Sequence, residues 1–384
     1  MSTAPVYLDY AATTPVDPRV AAAMAECLTQ QGCFGNAAST HAAGRAARAR
    51  IEKARQQVAM LLGAAAPELI WTSGATESNN LALLGAARAA RGEKHVITAR
   101  TEHKAVLDPC KQLEREGVRV TYLDTDAQGL IDPQQVAAAL RPQTVLVSIM
   151  HANNEIGVLQ DIAAIGAQCR AHGVLLHVDA SQSVGRVPVD VQALHIDLLS
   201  CTAHKLYGPK GVGILYVRDA CRARLQPLLF GGGHERGLRS GTLATHQIVG
   251  FGLACEIARN EGAADAERVG ALRARLWQGL EQLPQVLLNG HPERCVAGIL
   301  NVTFAGVEGE SLLFGLPELC VSTGSACNSD RDEPSYVLRA LGRDTQQAQS
   351  SLRLSLGRFS TAADVDAAVA AISREVRRLR AIAP

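Results

Sequence analysis

Nowhere does this sequence offer the run of about 20 consecutive apolar residues that a membrane-spanning helix needs. Its opening, MSTAPVYLDYAATTP, also lacks the basic n-region and the apolar h-region of a secretory signal. These two absences predict a cytoplasmic protein without a membrane partner. An excess of one charge is missing as well: 38 Lys and Arg stand against 37 Asp and Glu. A balanced chain has no electrostatic footprint for nucleic acid, so recognition must come from a local site. Aromatic residues make up only 4% of a sequence that is 47% hydrophobic. With Ala and Gly abundant, that composition suits helices packed closely on a sheet rather than a β-sandwich. The 10 cysteines form no CxxC and no pair close to two histidines, so no metal is expected. In a reducing compartment most of them read as small buried hydrophobes, including Cys255 in LACEIA and Cys320 before Val-Ser.

What the sequence does carry is alternation. From Ala42 to Leu62, AAGRAARARIEKARQQVAMLL puts Ile51, Ala54, Val58, Leu61 and Leu62 on one helical face, with a charged outer side and Gly63 as the stop. Short β-rich runs then alternate with helical ones. ELIWT precedes a helix from Thr76 and HVITA a helix to Glu116; VRVTYLD, TVLVSIM, VLLHVDA, HIDLLSC and GVGILYV follow. This rhythm predicts an α/β domain with buried strands. After about residue 260 it changes to a charged helix over 264–283, then VLLNG, GILNVTF, a short helix, ELCVS, SLRLSLG and a closing helix. For 384 residues the expectation is two domains. The large one spans 16–260, and a smaller α+β domain over 261–384 takes in residues 1–15, with a cleft between the two.

Three strand ends carry groups that one cofactor would use. Ser73-Gly74-Ala75-Thr76-Glu77 follows ELIWT and opens a helix, where free N–H groups, the helix dipole and small side chains suit an anion such as phosphate. Taken alone, that segment is more simply an ordinary N-cap. Asp179, delivered by LLHVD at the carboxyl edge of a sheet, could hold a protonated pyridine nitrogen, and Gln182 a ring oxygen. A lone strand-end Asp more often caps a turn. Lys205, in SCTAHKLYGPKG, lies among small and apolar residues, where desolvation favours the neutral amine that forms a Schiff base. Thr202 and His204 beside it could meet a phosphate, although a lysine ahead of Gly-Pro is by itself usually a solvated charge. The order of the three matches pyridoxal 5'-phosphate. Cys327 belongs to STGSACNSDRDE, a polar stretch between ELCVS and a helix expected to hold Pro334 in its first turn. A loop that long and polar predicts mobility, which a thiolate needs if it attacks inside a cleft and then presents its product outside. An incidental exposed cysteine there would be an oxidation liability.

The segments LDYAATTP, FGNAASTH, TSGATESNN, TEHKAVLD, HANNEIG, HVDASQSVG, AHKLYGPKG, GGGHERGLRSGT, STGSAC, EPSYVLRALG and SLRLSLGR occur in this order between Val6 and Arg380. On them the chain resembles the cysteine desulfurases of the IscS and NifS type, in the class V aminotransferase-like branch of fold-type I pyridoxal-phosphate enzymes. The resemblance implies an α/β fold: a large domain on a mostly parallel seven-stranded sheet, and a smaller α+β domain carrying the cysteine loop. It implies that sulfur is taken from L-cysteine, leaving L-alanine and a persulfide on Cys327. That sulfur would go to an acceptor protein, an IscU-like scaffold for iron–sulfur clusters or a carrier for another thio-cofactor or tRNA thiolation. By the same likeness Lys205 holds the cofactor covalently and shuttles a proton, while His103 stacks on the ring and helps to move protons. Asp179 pairs with the ring nitrogen and Gln182 with the ring hydroxyl. Ala75, Thr76, Thr202 and His204 hold the phosphate, joined by Thr242 from the other subunit of a homodimer. Asn154, which also borders the cofactor, and Arg353 take the substrate carboxylate, Arg353 through a bidentate fork.

Thr202, Ala203 and Ala37 depart from the family's commoner Ser, Gly and Pro, and Thr202 keeps the hydroxyl. Asp330, Asp332 and Glu333 make the stretch after Cys327 more acidic than in housekeeping members, and the sequence stops at Pro384 without their short scaffold-binding tail. The expectation is a specialised or weakened interaction with an IscU-like scaffold. The alternative is a selenocysteine lyase or another class V lyase or aminotransferase, against which Cys327 argues.

Overall fold

The computed structural model describes residues 5–323 and 333–382; Cys327, Asp330 and Asp332 lie outside the described residues. The chain opens with strand β1 (Val6–Tyr7) and helix α1 (Pro18–Ala25), the latter started by Asp17, whose carboxylate accepts from the Arg19 N–H. Helix α2 (Ala42–Leu62) buries Ile51, Ala54, Val58 and Leu62 on the predicted face and stops at Gly63, left-handed at φ 64°. Its charged side departs from expectation at Arg55, which is buried. Glu235 receives both of its Nη groups at 2.8 Å, and Leu69 O accepts from Nη1 at 2.8 Å. A guanidinium can leave water when every donor it brings finds a paired acceptor.

Strands β2 (Leu69–Thr72), β3 (His95–Ala99), β4 (Arg119–Leu123), β5 (Thr144–Ser148), β6 (Leu175–Asp179), β7 (Leu198–Thr202) and β8 (Gly213–Val217) form one seven-stranded sheet, ordered β2-β8-β7-β6-β5-β3-β4. Only β8 runs against its neighbours. Strands β2, β3, β6, β7 and β8 are buried along their whole length. Their largely apolar runs are what a sheet covered on both faces requires, and the polar residues within them, such as His177 and Ser200, are paired to each other. Helices α3 (Ala75–Ala89), α4 (Lys104–Arg115), α5 (Pro133–Ala139) and α6 (Ile162–Ala171) lie in the connections. Because the parallel strands share one direction, the turns holding Gly74 to Thr76, His103, Asn154, Asp179 and Lys205 all lie along one edge.

Helix α7 (Thr245–Leu280) continues for 36 residues, through the boundary expected near residue 260. Its first half sends Ile248, Phe251, Ala254, Cys255 and Ala258 into the core of the large sheet. Its second half sends Val269, Leu272, Leu276 and Leu280 into a separate core. No proline interrupts it, so the change in pattern marks a change of packing partner and not the end of a helix. Strands β9 (Val286–Asn289) and β10 (Ile299–Phe304), helix α8 (Gly309–Phe314), strand β11 (Leu319–Cys320), helices α9 (Tyr336–Ala340) and α10 (Thr345–Gln349), strand β12 (Ser351–Ser355) and helix α11 (Ala362–Ile382) complete the chain.

Strands β9, β10 and β12 make an antiparallel sheet with β10 central, and α11 packs Val365, Ile372 and Val376 into the same core. Strand β1 pairs in parallel with β11, and Leu8 joins this second core. Cys255 is buried as expected, but Cys320 is exposed. On this two-residue strand the alternation turns Leu319 inward and leaves Cys320 facing out. Pro334 precedes Ser335, the N-cap of α9, and so lies outside the first turn. Among the described residues no helix is long and apolar enough to cross a membrane.

Candidate active site

The turns along the carboxyl edge of the large sheet enclose a cavity of about 550 Å³. Ala75, Thr76, His103, Asn154, Asp179, Gln182, Thr202, His204, Lys205 and Arg353 all line it. Thr242 is exposed and does not, and Cys327 lies outside the described residues.

At one end of the cavity the chain leaves β2 through Gly74, at φ 152°, and α3 begins at Ala75. Gly213 of β8 makes this close approach possible: a Cβ there would stand 2.6 Å from Cys201 O and 2.7 Å from the Cα of Gly74. Glu77, in the first turn, accepts from Ser73 N at 2.7 Å and pairs with Arg239 at 2.8 Å. Burial opposes its ionisation, but these bonds hold its carboxyl below the usual range. With Glu77 so engaged, the first-turn N–H groups, which have no intrahelical acceptor, are left for an anion from outside. His204 Nδ1 lies 3.1 Å from Thr13 Oγ1; burial, helped by Lys205 and Lys210, lowers its pKa to about 4.

Asp179 ends β6 only 5% exposed. Its Oδ2 accepts from Asn79 Nδ2 at 2.7 Å, and its Oδ1 from Ser181 N at 2.9 Å and Ser181 Oγ at 2.5 Å. The turn-capping role and the cavity position therefore coexist in one carboxylate. Lys205 follows β7, and its Nζ donates to Ala11 O at 2.5 Å and Ala12 O at 2.7 Å. The sequence placed this amine among small and apolar groups; the N-terminal segment instead folds over it and presents carbonyl oxygens. Gln182 Nε2 donates to the same Ala11 O at 2.8 Å.

His103 is the N-cap of α4, its Nδ1 accepting from Ala105 N at 3.0 Å. Burial, against the pull of Asp179, lowers its pKa. The neutral ring thus carries its proton on Nε2. Glu102 before it is fully buried, and its Oε1 accepts from Met150 N at 2.7 Å. Burial, reinforced by Asp179, keeps this carboxyl well above the usual range. Arg353, on β12, is only 5% exposed. Its Nη1 donates to Asn154 O at 3.0 Å and its Nη2 to Asp9 Oδ1 at 2.8 Å. Part of the expected fork is therefore already held by the protein. Sequence reasoning missed Asn79, Ser181, Glu102, Gly213, Asp9 and the carbonyls of Ala11 and Ala12. Asn79 and Ser181 had local signals: Asn79 lies one helical turn after Ala75, and Ser181 stands two positions beyond the turn-capping Asp179.

Among the described residues, four buried polar atoms of this lining, Asn79 Oδ1, Asn154 Oδ1, Gln182 Oε1 and Arg353 Nε, have no hydrogen-bond partner. Buried polar groups are ordinarily paired. With an anion-ready helix start, an amine, a carboxylate and an arginine, they fit pyridoxal 5'-phosphate together with a small amino acid.

One further histidine supports the site from below. His177, two residues before Asp179 on β6, is fully buried, with Nδ1 2.8 Å from Ser148 Oγ and Nε2 2.9 Å from Ser200 Oγ. Burial, against Asp179, lowers its pKa from 6.5 to about 4. The unfolded chain therefore binds a proton near pH 6.5 that the native site refuses. The contribution of this site is full above that pH and is lost as pH falls toward 4. His177→Gln should accordingly lose less melting temperature between pH 6.5 and 4 than the wild type does. Identical pH slopes would clear His177 of this role.

Residues 6–368 match the family model described as aminotransferase class-V. A cysteine desulfurase IscS of Aeromonas salmonicida is 58% identical over 382 residues, covering 99% of this chain and 95% of that protein. The IscS of Aeromonas hydrophila is 57% identical with the same coverage. Among solved structures, a NifS-like protein has a TM-score of 0.90 and 36% identity, covering 98% of this chain and all of that one. A structure of SspA in complex with cysteine has a TM-score of 0.83 and 38% identity over 92% of this chain and 99% of its own. By matches of this length and identity, the chain belongs to the aminotransferase class-V family, in its branch of IscS-type cysteine desulfurases.

Proposed function

We propose that this protein takes sulfur from L-cysteine with pyridoxal 5'-phosphate as cofactor, leaves L-alanine, and holds the sulfur as a persulfide on Cys327. The observation that carries the reading is the convergence of Lys205, Asp179, His103, Arg353 and the start of α3 on one cavity. Relatives named cysteine desulfurase and a neighbour bound to cysteine support the choice of substrate.

When bound, the cofactor supplies an electron-withdrawing ring that acidifies the Cα–H of an amino acid joined to it. Lys205 would hold its aldehyde carbon, Asp179 its pyridine nitrogen and Gln182 its ring hydroxyl. Ala75, Thr76, Thr202 and His204 would hold its phosphate. Asn154 and Arg353 would take the carboxylate of cysteine, Arg353 with the N–H groups that Asp9 and Asn154 leave over. Lys205 Nζ, steered by the carbonyls of Ala11 and Ala12, removes the Cα proton and returns one. His103, anchored through Nδ1, offers or takes a proton at Nε2. The Cys327 thiolate attacks the sulfur of cysteine. An S–S bond forms, the C–S bond breaks, and its electron pair stays with carbon, which gains a proton and leaves as alanine. The step consumes no oxidant or reductant.

The protein acts as a homodimer in which Thr242 of each subunit completes the phosphate site of the other. Thr242→Ala should weaken cofactor retention by about 1.5 to 3 kcal/mol, read as faster loss of cofactor on dilution. A fully active monomer in sedimentation would remove this role. The sulfur passes to an acceptor protein, and the acidic residues Asp330, Asp332 and Glu333 tune the fit to an IscU-like scaffold. The nine cysteines among the described residues are all free, which accords with a reducing cytoplasm. The deciding experiment incubates purified holoprotein with L-cysteine and a reductant. Alanine and sulfide should appear in equal amounts, with one extra sulfur atom on Cys327 before reduction. Pyruvate or an amino-group transfer product in place of alanine would mean a different reaction on this fold.

A further inference from the structure

Glu155, next to Asn154 in the turn after β5, is only 3% exposed and has no part in the chemistry above. Its Oε2 accepts from Ser335 Oγ at 2.5 Å. The same Ser335 Oγ caps α9, accepting from Leu338 N at 3.2 Å. The next residue, Tyr336, donates its hydroxyl to Glu102 O at 2.7 Å, directly before His103. Glu155 itself is held on both sides. Asn153 Oδ1 accepts from the Glu155 and Ile156 N–H groups at 2.8 and 3.0 Å, and Asn301 Nδ2 donates to Glu155 O at 3.2 Å. Burial lifts the Glu155 carboxyl to about 7, against the pull of Ser335 and Arg353. An acid kept in such a place needs its hydrogen-bond partner, because an unpaired buried carboxyl bears the full desolvation cost.

Ser335 follows Cys327 by eight positions, and Ser322 precedes it by five. Ser322 is itself paired to Arg353 through the backbone: Arg353 N donates to Ser322 O at 2.8 Å, and Ser322 N to Arg353 O at 3.4 Å. A chain reaches at most about 3.5 Å per residue, so these two attachments bound the region the thiol can reach. Both attach to residues that present the cavity: Arg353 on one side, the Asn154 turn and the His103 strand end on the other.

We propose that Glu155 and Ser335 are a positioning pair for sulfur transfer, pinning the chain that carries Cys327 to the turn that presents Asn154. The inference rests on the reading of Cys327 as the nucleophile. A displacement of about 1 Å at a reacting group can cost about a hundredfold in rate, so the pair acts on the transfer step and not on substrate capture.

The test compares Ser335→Ala, Ser335→Thr and Cys327→Ser with the wild-type holoenzyme. Ser335→Ala should change colour with L-cysteine as the wild type does and keep its KM, yet form persulfide about ten- to a hundredfold more slowly. Ser335→Thr, which keeps the hydroxyl, should recover most of that rate. If Ser335→Ala does not fold, Glu155→Asp, which draws the carboxyl back by one methylene, is measured in the same way. An unchanged persulfide rate in Ser335→Ala, with Cys327→Ser inactive, overturns the inference and leaves the nucleophile intact. Equal loss of colour change and persulfide rate, or no rescue by threonine, overturns it as a purely structural effect. Persulfide-dependent turnover by Cys327→Ser at the wild-type rate overturns the underlying reading instead.

Discussion

Lys205→Ala should lower turnover of L-cysteine by roughly 10⁴-fold or more and should remove the visible absorption of covalently attached cofactor. The lysine is asked to do two things, to hold the cofactor and to move the Cα proton, and alanine can do neither. Lys210 also lines the cavity, but it is exposed beyond the Gly208-Pro209 turn. A residual absorption band traced to Lys210 would transfer the role to that residue. The fold should survive, because Lys205 is half-buried and its Nζ bonds to Ala11 O and Ala12 O reach a segment that has other anchors. The segment they hold is separately secured by the β1–β11 pairing and by Leu8 in the second core. Native circular dichroism with partial recovery of activity by a small primary amine would show that chemistry was lost; unfolding would not respond to the amine.

Cys327→Ser should divide the reaction at a different point. In the proposed mechanism neither substrate binding nor withdrawal of the Cα proton uses Cys327, so the variant should keep cofactor, dimer and the colour change with L-cysteine. Breaking the C–S bond requires a nucleophile that attacks sulfur. A free thiol with a pKa of about 8.5 is partly ionised near neutral pH, whereas a serine hydroxyl is not. The variant should therefore form no persulfide and no alanine beyond background, with the missing product confirmed by mass spectrometry of the peptide that carries position 327. Alanine and sulfide released at the wild-type rate would exclude Cys327 as the nucleophile and with it the transfer mechanism.

The site was legible in the sequence wherever a residue's role follows from its place at a strand end. Asp179, Lys205 and Thr76 follow apolar runs whose length and flanks mark them as strands, and the parallel direction of those strands brings their ends together. The misreadings have a different origin. Arg55 was counted with the charged face of α2, because the glutamate that pairs with it lies 180 positions away. The environment of Lys205 was misjudged because its acceptors come from residues 194 and 193 positions earlier. Cys320 was expected to be buried because its apolar neighbours gave no sign that β11 is a two-residue strand paired only to β1. The change of pattern near residue 260 falls inside α7, where the helix passes from one core to the other, and backbone hydrogen bonding is indifferent to that change.

By itself, then, the sequence determined the alternation of strands and helices, the cofactor chemistry available at three strand ends, and the family. Periodicity, caps and short motifs are properties of residues that are neighbours along the chain. Only the tertiary structure decided that Asp9, 344 positions from Arg353, holds part of its guanidinium, that Asn79 and Ser181 hold Asp179, and that Glu155 meets Ser335. Apart from Ser181, two positions from Asp179, each of these pairs has a donor and an acceptor that local spacing cannot connect. Burial then makes the pairing obligatory, because a polar group withdrawn from water must find its partner within the fold.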